Sequence, residues 1–258
     1  MTLPTDLRPG ATGNLFLDAL PAASSAFLIP KLDRVSLPRG TPIASAGKPI
    51  EYVVFPVASV ISTVMTMRDG SGVEVSLVGR DGFYGLHVAL GDERSADDAM
   101  VQLPDSGFRI RSADFREALR RDEQLTARVL RYAQFTLVAF AQLSACNRLH
   151  PVNERCARWL LMAHDRVDGD ELALTHEYLA TMLGVRRPAV SVAAAALDEA
   201  GLIAYHRGRI VVHTRGGLEA AACECYATVN GACRRILGYD ARKREAARTT
   251  PLLRLEAD

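Results

Sequence analysis

Between Ser112 and His150 the chain holds neither glycine nor proline, although both are frequent on either side. A run of good helix formers without a breaker requires a long helix or a helix pair. Asp122 is placed to cap the second of the two. Beyond it Leu125, Val129, Tyr132, Thr136, Ala139, Leu143 and Cys146 recur at alternating steps of four and three, the spacing of a coiled-coil seam. A second stripe of Leu130, Ala133, Leu137 and Phe140 widens the apolar face. At about 1.5 Å per residue, Asp122 to Asn147 spans roughly 40 Å, longer than most globular helices. Two stripes on one long helix predict one packed on its own subunit and the other on a second copy, hence a homodimer. A single core helix is the alternative.

The helix divides two regions of different texture. From about Arg34 to Arg111, short apolar runs (Tyr52 to Phe55, Val57 to Met67, Val73 to Val78, Phe83 to Leu90, Met100 to Leu103, Phe108 to Ile110) are separated by turn clusters, as in an antiparallel sandwich or roll. Val73-Glu74-Val75-Ser76-Leu77 alternates strictly, which predicts one buried and one wet face, and Asp69-Gly70-Ser71-Gly72 suits a hairpin turn before it. After the long helix, Pro151 opens another with Val152, Cys156, Trp159, Leu160 and Ala163 on one side. The acidic group Asp165, Asp168, Asp170 and Glu171 lacks the spacing of a calcium loop and is expected in a solvated turn.

Residues 175 to 213 carry the chemistry. Thr175 can cap a short helix with Leu179, Met182 and Leu183 inward, and Gly184 permits the left-handed stop that ends it. Pro188 sits where a first helical turn tolerates a missing donor, and Val190, Ala193, Ala194 and Leu197 give that second helix an inner face. Two short helices around a glycine turn form a helix-turn-helix, whose second helix enters a major groove. Directly after it, Leu202 to Tyr205 and Ile210 to His213 flank His206-Arg207-Gly208-Arg209, a hairpin with a basic tip. Over the whole chain Lys and Arg number 31 against 30 Asp and Glu. From 186 to 215, however, five arginines (Arg186, Arg187, Arg207, Arg209, Arg215) face only Asp198 and Glu199. The average neutrality hides a local cationic edge.

This arrangement resembles the Crp/Fnr family of bacterial transcription regulators. The likeness runs from about Asn14 to His213 through Leu37-Pro38-Arg39-Gly40, Ala46-Gly47-Lys48-Pro49, Tyr52-Val53-Val54-Phe55-Pro56, Val78-Gly79-Arg80-Asp81-Gly82 and Ala145-Cys146-Asn147-Arg148. Its most specific piece is Leu183-Gly184-Val185-Arg186-Arg187-Pro188. The resemblance implies an α+β chain in four parts. These are a jelly-roll-like antiparallel β-roll of cyclic-nucleotide-binding type (14–111), a helix pair with the dimerisation helix (112–148), a winged helix-turn-helix (149–217), and a C-terminal helix with a mobile basic tail containing Arg242, Lys243, Arg244 and Arg248 (218–258). It further implies double-stranded DNA with a palindromic site and a second copy of the chain as partners, RNA polymerase as a further one, and no membrane.

Within that resemblance, Arg187 is expected to read guanine and Ser191 to lie beside it, with Val192 or Ala195 able to meet a thymine methyl. His176, Arg186, Arg207 and Arg209 are expected on phosphate. The family's cyclic-nucleotide sensors follow a Phe-x-Gly motif with glutamate and use a later Arg-Ser or Arg-Thr pair for the cyclic phosphate. Here Phe83-Tyr84-Gly85 is followed by Leu86, and the later pair aligns either as Arg94-Ser95 or as Asp97-Asp98. Gly85, Leu86, Arg94 and Ser95 are therefore the candidate ligand residues, cyclic AMP is not expected, and another nucleotide, a different small molecule or no ligand stay open.

The first cysteine is Cys146, so the N-terminal cysteines of the family's iron-sulfur sensors are missing and no iron-sulfur cluster is expected. Leu218, Ala222, Cys225, Val229, Ala232 and Ile236 fall on one helical stripe, making Cys225 a packing residue and leaving no metal site. Five sparse cysteines suit reduced thiols rather than a disulfide scaffold. Met1 to Gly10 lacks an export signal, so a cytoplasmic protein is expected. No phosphate loop, Gly-x-Ser-x-Gly elbow or His-rich metal spacing marks an enzyme. A ligand-controlled protein-interaction module is the competing function.

Overall fold

A computed structural model describes residues 10–242. The Met1 to Gly10 segment, all but its last residue, and the basic tail from Lys243 lie outside them. In chain order the elements are α1 (Leu15–Asp18), α2 (Ala22–Leu28), β1 (Asp33–Leu37), β2 (Pro42–Ala44), β3 (Tyr52–Pro56), β4 (Val60–Thr66), β5 (Gly72–Val78), α3 (Leu86–Leu90), β6 (Asp98–Leu103), β7 (Asp105–Arg111), α4 (Ser112–Arg121) and α5 (Glu123–Leu149). There follow α6 (Val152–His164), β8 (Glu171–Leu172), α7 (His176–Leu183), α8 (Arg187–Glu199), β9 (Ile203–His206), β10 (Arg209–Val212), α9 (Arg215–Ala221) and α10 (Cys225–Leu237).

Strands β1, β7 and β3 form one sheet and β2, β6, β4 and β5 a second, all antiparallel, which is the expected roll. The β4–β5 hairpin forms where the Asp69 to Gly72 turn predicts it, with the Ser71 amide donating to Asp69 Oδ1 at 3.0 Å. Phe16, Phe55, Phe83 and Phe115 are stacked or edge-on inside the roll, and Tyr132 of α5 joins them, its ring 4.7 Å from that of Phe83. The expected run Phe83 to Leu90 is not a strand throughout. Gly85 takes φ +106°, beside Val53, and the chain turns there into α3.

Asp122 caps α5 as expected, accepting from the Gln124 and Leu125 amides at 2.9 and 3.0 Å. Leu125, Val129, Tyr132 and Cys146 of its first stripe are buried, and α10 lies along the same helix. Of the second stripe only Ala133 is buried, while Leu130 and Leu137 are 55% and 68% exposed. Among the described residues no helix is long and apolar enough to cross a membrane.

Two readings need correction at the seam between the roll and the C-terminal helices. Glu74, expected on the wet face of β5, is buried, because α7 packs on β5 and Trp159 of α6 reaches its carboxyl. The acidic turn is not simply solvated either. Asp165 is buried against Arg215 at 2.6 Å and the Tyr226 hydroxyl at 2.8 Å, Asp168 pairs with Arg80, and Asp170 lies 2.8 Å from His164.

Candidate nucleic-acid interface

Helix α7 starts on the Thr175 hydroxyl, which accepts from the Tyr178 amide at 3.3 Å, and stops at Gly184 with φ +60°. That left-handed residue lets Val185 donate back to Ala180 at 3.0 Å and turns the chain into α8. Leu179, Met182 and Leu183 face Val190, Ala193 and Leu197 in one buried cluster, the inner face read from the sequence. Burial on one side fixes what the other presents. Arg187 is 68% exposed by its side chain and Val192 is 71% exposed; Arg186 and Ala195 are also exposed. The first three turns of α8 thus offer one guanidinium and two small apolar groups, the set that meets a guanine edge and thymine methyls.

The wing is a two-residue hairpin. His206 pairs with Arg209, and Arg207 and Gly208 between them have φ +46° and +79°, the mirror-image turn that matches strand twist. Arg207, the one non-glycine residue with positive φ among the described residues, is held exposed at its tip. Strand β8 closes the sheet on β10, and from it Glu171 pairs with Arg209. Arg209 therefore reaches phosphate only by leaving a carboxylate.

His176 has a different place from the one its sequence position suggested. Its Nδ1 lies 3.0 Å from Ser191 Oγ and its ring stacks on Tyr205 at 4.0 Å. Burial, with Arg187 nearby, holds the imidazole below its ordinary pKa, so it is neutral at pH 7. A stacked ring with this bond braces α7, α8 and the wing together. Ser191 in turn is half-buried and donates to the Arg187 carbonyl at 3.2 Å.

The sequence of residues 154–221 matches the model of the Crp-like helix-turn-helix domain. This stretch is a Crp-like helix-turn-helix domain. FixK2 from Bradyrhizobium japonicum is similar in structure at 19% identity and a TM-score of 0.63, over 74% of this chain and 98% of that one. A transcriptional regulator of the CRP family from Thermus thermophilus aligns at 22% identity and 0.58, covering 74% and 96%. The c-di-GMP responsive global regulator CLP of Xanthomonas campestris aligns at 13% and 0.54, covering 75% and 99%. No curated protein sequence matches the chain. The fold is that of Crp/Fnr regulators, and with the Crp-like domain it supports a DNA-binding transcriptional regulator.

The roll holds a pocket of about 670 Å³ between β5, the start of α3 and α5. Gly85 and Leu86 line it. Arg94 and Ser95 do not. Arg94 is exposed and donates to the Gly47 carbonyl at 2.8 Å, while Ser95 is buried with the Tyr84 hydroxyl at 2.7 Å. The register of β6 on β4 brings Ala96 and Asp97 to the pocket instead. Its acidic lining residues are Glu74 and Asp97, and it has no lysine or arginine, so a cyclic phosphate would find no such cation to pair with. Leu137 and Phe140 of α5 complete the wall.

Sequence reasoning missed what joins the Crp-like domain to the roll. Trp159 Nε1 donates to Glu74 Oε1 at 2.6 Å, and Ser62 Oγ donates to Glu74 Oε2 at 2.6 Å from within the roll. Arg166 pairs with Asp81 at 2.5 Å, both buried. None of these residues lies in a local pattern that points to its partner.

Proposed function

We propose that the chain works as a homodimeric regulator, not an enzyme, reading a palindromic operator with two copies of α8. What carries the reading is the division of α8 into a fully packed inner face and an outer face whose first turns expose Arg187 and Val192. Arg187 reads guanine; Val192 and Ala195 meet thymine methyls; Arg186 and Arg207 contact phosphate, and His176 holds Ser191 and the wing in place. Leu130 and Leu137 of α5, one heptad apart and exposed, form the seam with the second copy. Two Crp-like domains then lie about 34 Å apart, one turn of duplex.

The domain division follows the parts read from the sequence, 14–111, 112–148, 149–217 and 218 onward. The pocket beside Leu137 and Phe140 lets a small ligand act on the dimer helix. That lining favours a neutral, largely apolar effector over cyclic AMP. Its DNA target places the protein in the cytoplasm, with RNA polymerase as the further partner. Selection of bound duplexes from a random library tests the reading: the expected outcome is an inverted repeat bound with steep salt dependence, and failure to enrich any sequence with an intact dimer would overturn it.

A further inference from the structure

The last turn of α5 carries Cys146, and His150 follows four residues on at its C-cap, on the same side of the helix. The stripe expected from Leu218 to Ile236 is interrupted: α9 ends at Ala221 and α10 begins at Cys225. In one continuous helix Cys223 and Cys225 would point about 200° apart. The break lets both face the end of α5. The ligand atoms of Cys146, His150, Cys223 and Cys225 all lie within 4.8 Å of one another. Cys146 Sγ is 3.5 Å from Cys223 Sγ, and Cys225 Sγ is 3.6 Å from His150 Nδ1.

Those separations have a meaning. With Zn–S of about 2.3 Å and Zn–N of about 2.0 Å, the edges of a tetrahedral site are roughly 3.8 Å between sulfurs and 3.5 Å between sulfur and nitrogen. Ligands this close leave room for one ion and none for a polynuclear cluster. The three thiols are buried, yet they form a cluster of their own, separate from both apolar cores. Packing residues would be expected to merge with a core. The surroundings are also those of a ligand set. His150 Nε2 lies 3.1 Å from the Glu224 carboxylate, which takes its proton in a hydrogen bond and leaves Nδ1 as the lone pair facing the thiols. Gln142 Nε2 donates to Cys225 Sγ at 3.1 Å.

We propose that Cys146, His150, Cys223 and Cys225 bind a single zinc ion. All four positions are filled by the protein, so the site is structural, and the thiol protons leave to solvent as the metal enters. The ion ties the end of the long helix to the chain that leaves the Crp-like domain, a role independent of whether the domain reads DNA.

Metal analysis of the full chain, purified without chelator, is expected to find about one zinc per chain. The double variant Cys146→Ala/Cys225→Ala loses it, whereas Cys156→Ala and Cys233→Ala, at buried thiols outside the cluster, keep it. Glu224→Ala, which removes only the partner of the histidine, makes the zinc about 10- to 100-fold easier to extract with a chelator. Should the cysteine variants fail to fold, protein grown with cobalt still decides the matter. It should show thiolate-to-cobalt charge transfer and the intense visible bands of tetrahedral Co(II). Metal-free protein with five titratable thiols, a Cys146–Cys223 disulfide, or iron with acid-labile sulfide would each overturn the proposal.

Discussion

Replacing Glu74 by glutamine should remove a pH-dependent weakness from the seam between the roll and the Crp-like domain. Burial outweighs the hydrogen bonds from Ser62 and Trp159 and raises the Glu74 carboxyl from an ordinary value near 4.5 to about 7. The folded chain therefore keeps the Glu74 proton up to about pH 7, while the unfolded chain releases it near 4.5. The stability this group supports is complete below 4.5 and is lost as pH rises through 7, the reverse of a salt-bridged carboxylate. At 1.36 kcal/mol per tenfold change, the loss comes to about 3 kcal/mol. For a chain of this size each kcal/mol moves Tm by about 2–4 °C, so the loss is worth roughly 6–12 °C. Glutamine keeps the shape and can still bond Ser62 and Trp159, but has no proton to lose. Melting at pH 5 and pH 8 should show wild type losing most of this relative to Glu74→Gln. Trp159, which donates to Glu74, is the only tryptophan of the chain, so its emission reports the same event directly. It should change with a midpoint about pH 7 in wild type and stay flat in the variant. Equal pH slopes in the two proteins, or emission that is flat in both, would refute the reasoning.

Other substitutions probe the interface and the dimer. Arg187→Ala should cost about 1–3 kcal/mol on the selected duplex and far less on random DNA, whereas Arg207→Ala should weaken all sequences alike and flatten the salt slope by about one; equal losses for Arg187→Ala on both duplexes would remove its assigned role. Leu130→Glu with Leu137→Glu places carboxylates on the exposed α5 stripe, and sedimentation should find a folded monomer; a persisting dimer would move the seam elsewhere. At Gly184 an added Cβ would sit 2.9 Å from Val73 Cγ2 on a backbone with φ +60°. Gly184→Ala is therefore expected to destabilise by about 1 kcal/mol or more from the backbone alone, with Val73→Ala restoring only the part due to contact.

What the sequence made legible was local. The Asp122 cap, the hairpin before β5, the Gly184 stop and the inner faces of α7 and α8 each depend on residues within a few positions of one another, and each is found in place. Misread residues answer to distant partners. Alternation gave Glu74 a wet face because nothing within β5 records that Trp159, 85 residues on, covers it. The acidic group near Asp165 looked like a turn because Arg215 and Tyr226 lie 50 and 61 residues away. Cys223 and Cys225 were hidden by a stripe that runs through a break in the helix.

These misreadings fall largely along one surface. Where the roll meets the C-terminal helices, Ser62, Glu74, Asp81 and Arg166 are buried and hydrogen-bonded, though Asp81 Oδ1 and Arg166 Nε have no partner among the described residues; a pattern that assigns polar residues to solvent therefore fails there. The seam also holds apolar contacts, since Val60, Leu77 and Leu103 of the roll share one buried cluster with Trp159 and Leu160, but its polar part behaves differently. Its hydrogen bonds and the Asp81–Arg166 pair specify one docked geometry, because a shifted arrangement leaves charges buried without partners. Once opened, however, the same groups are rehydrated by water and recover much of what they lose, whereas an apolar seam would forfeit its full burial. A domain that must hold one position firmly and still be able to leave it is better served by this kind of contact. Glu74, half titrated at about pH 7, lies at its centre.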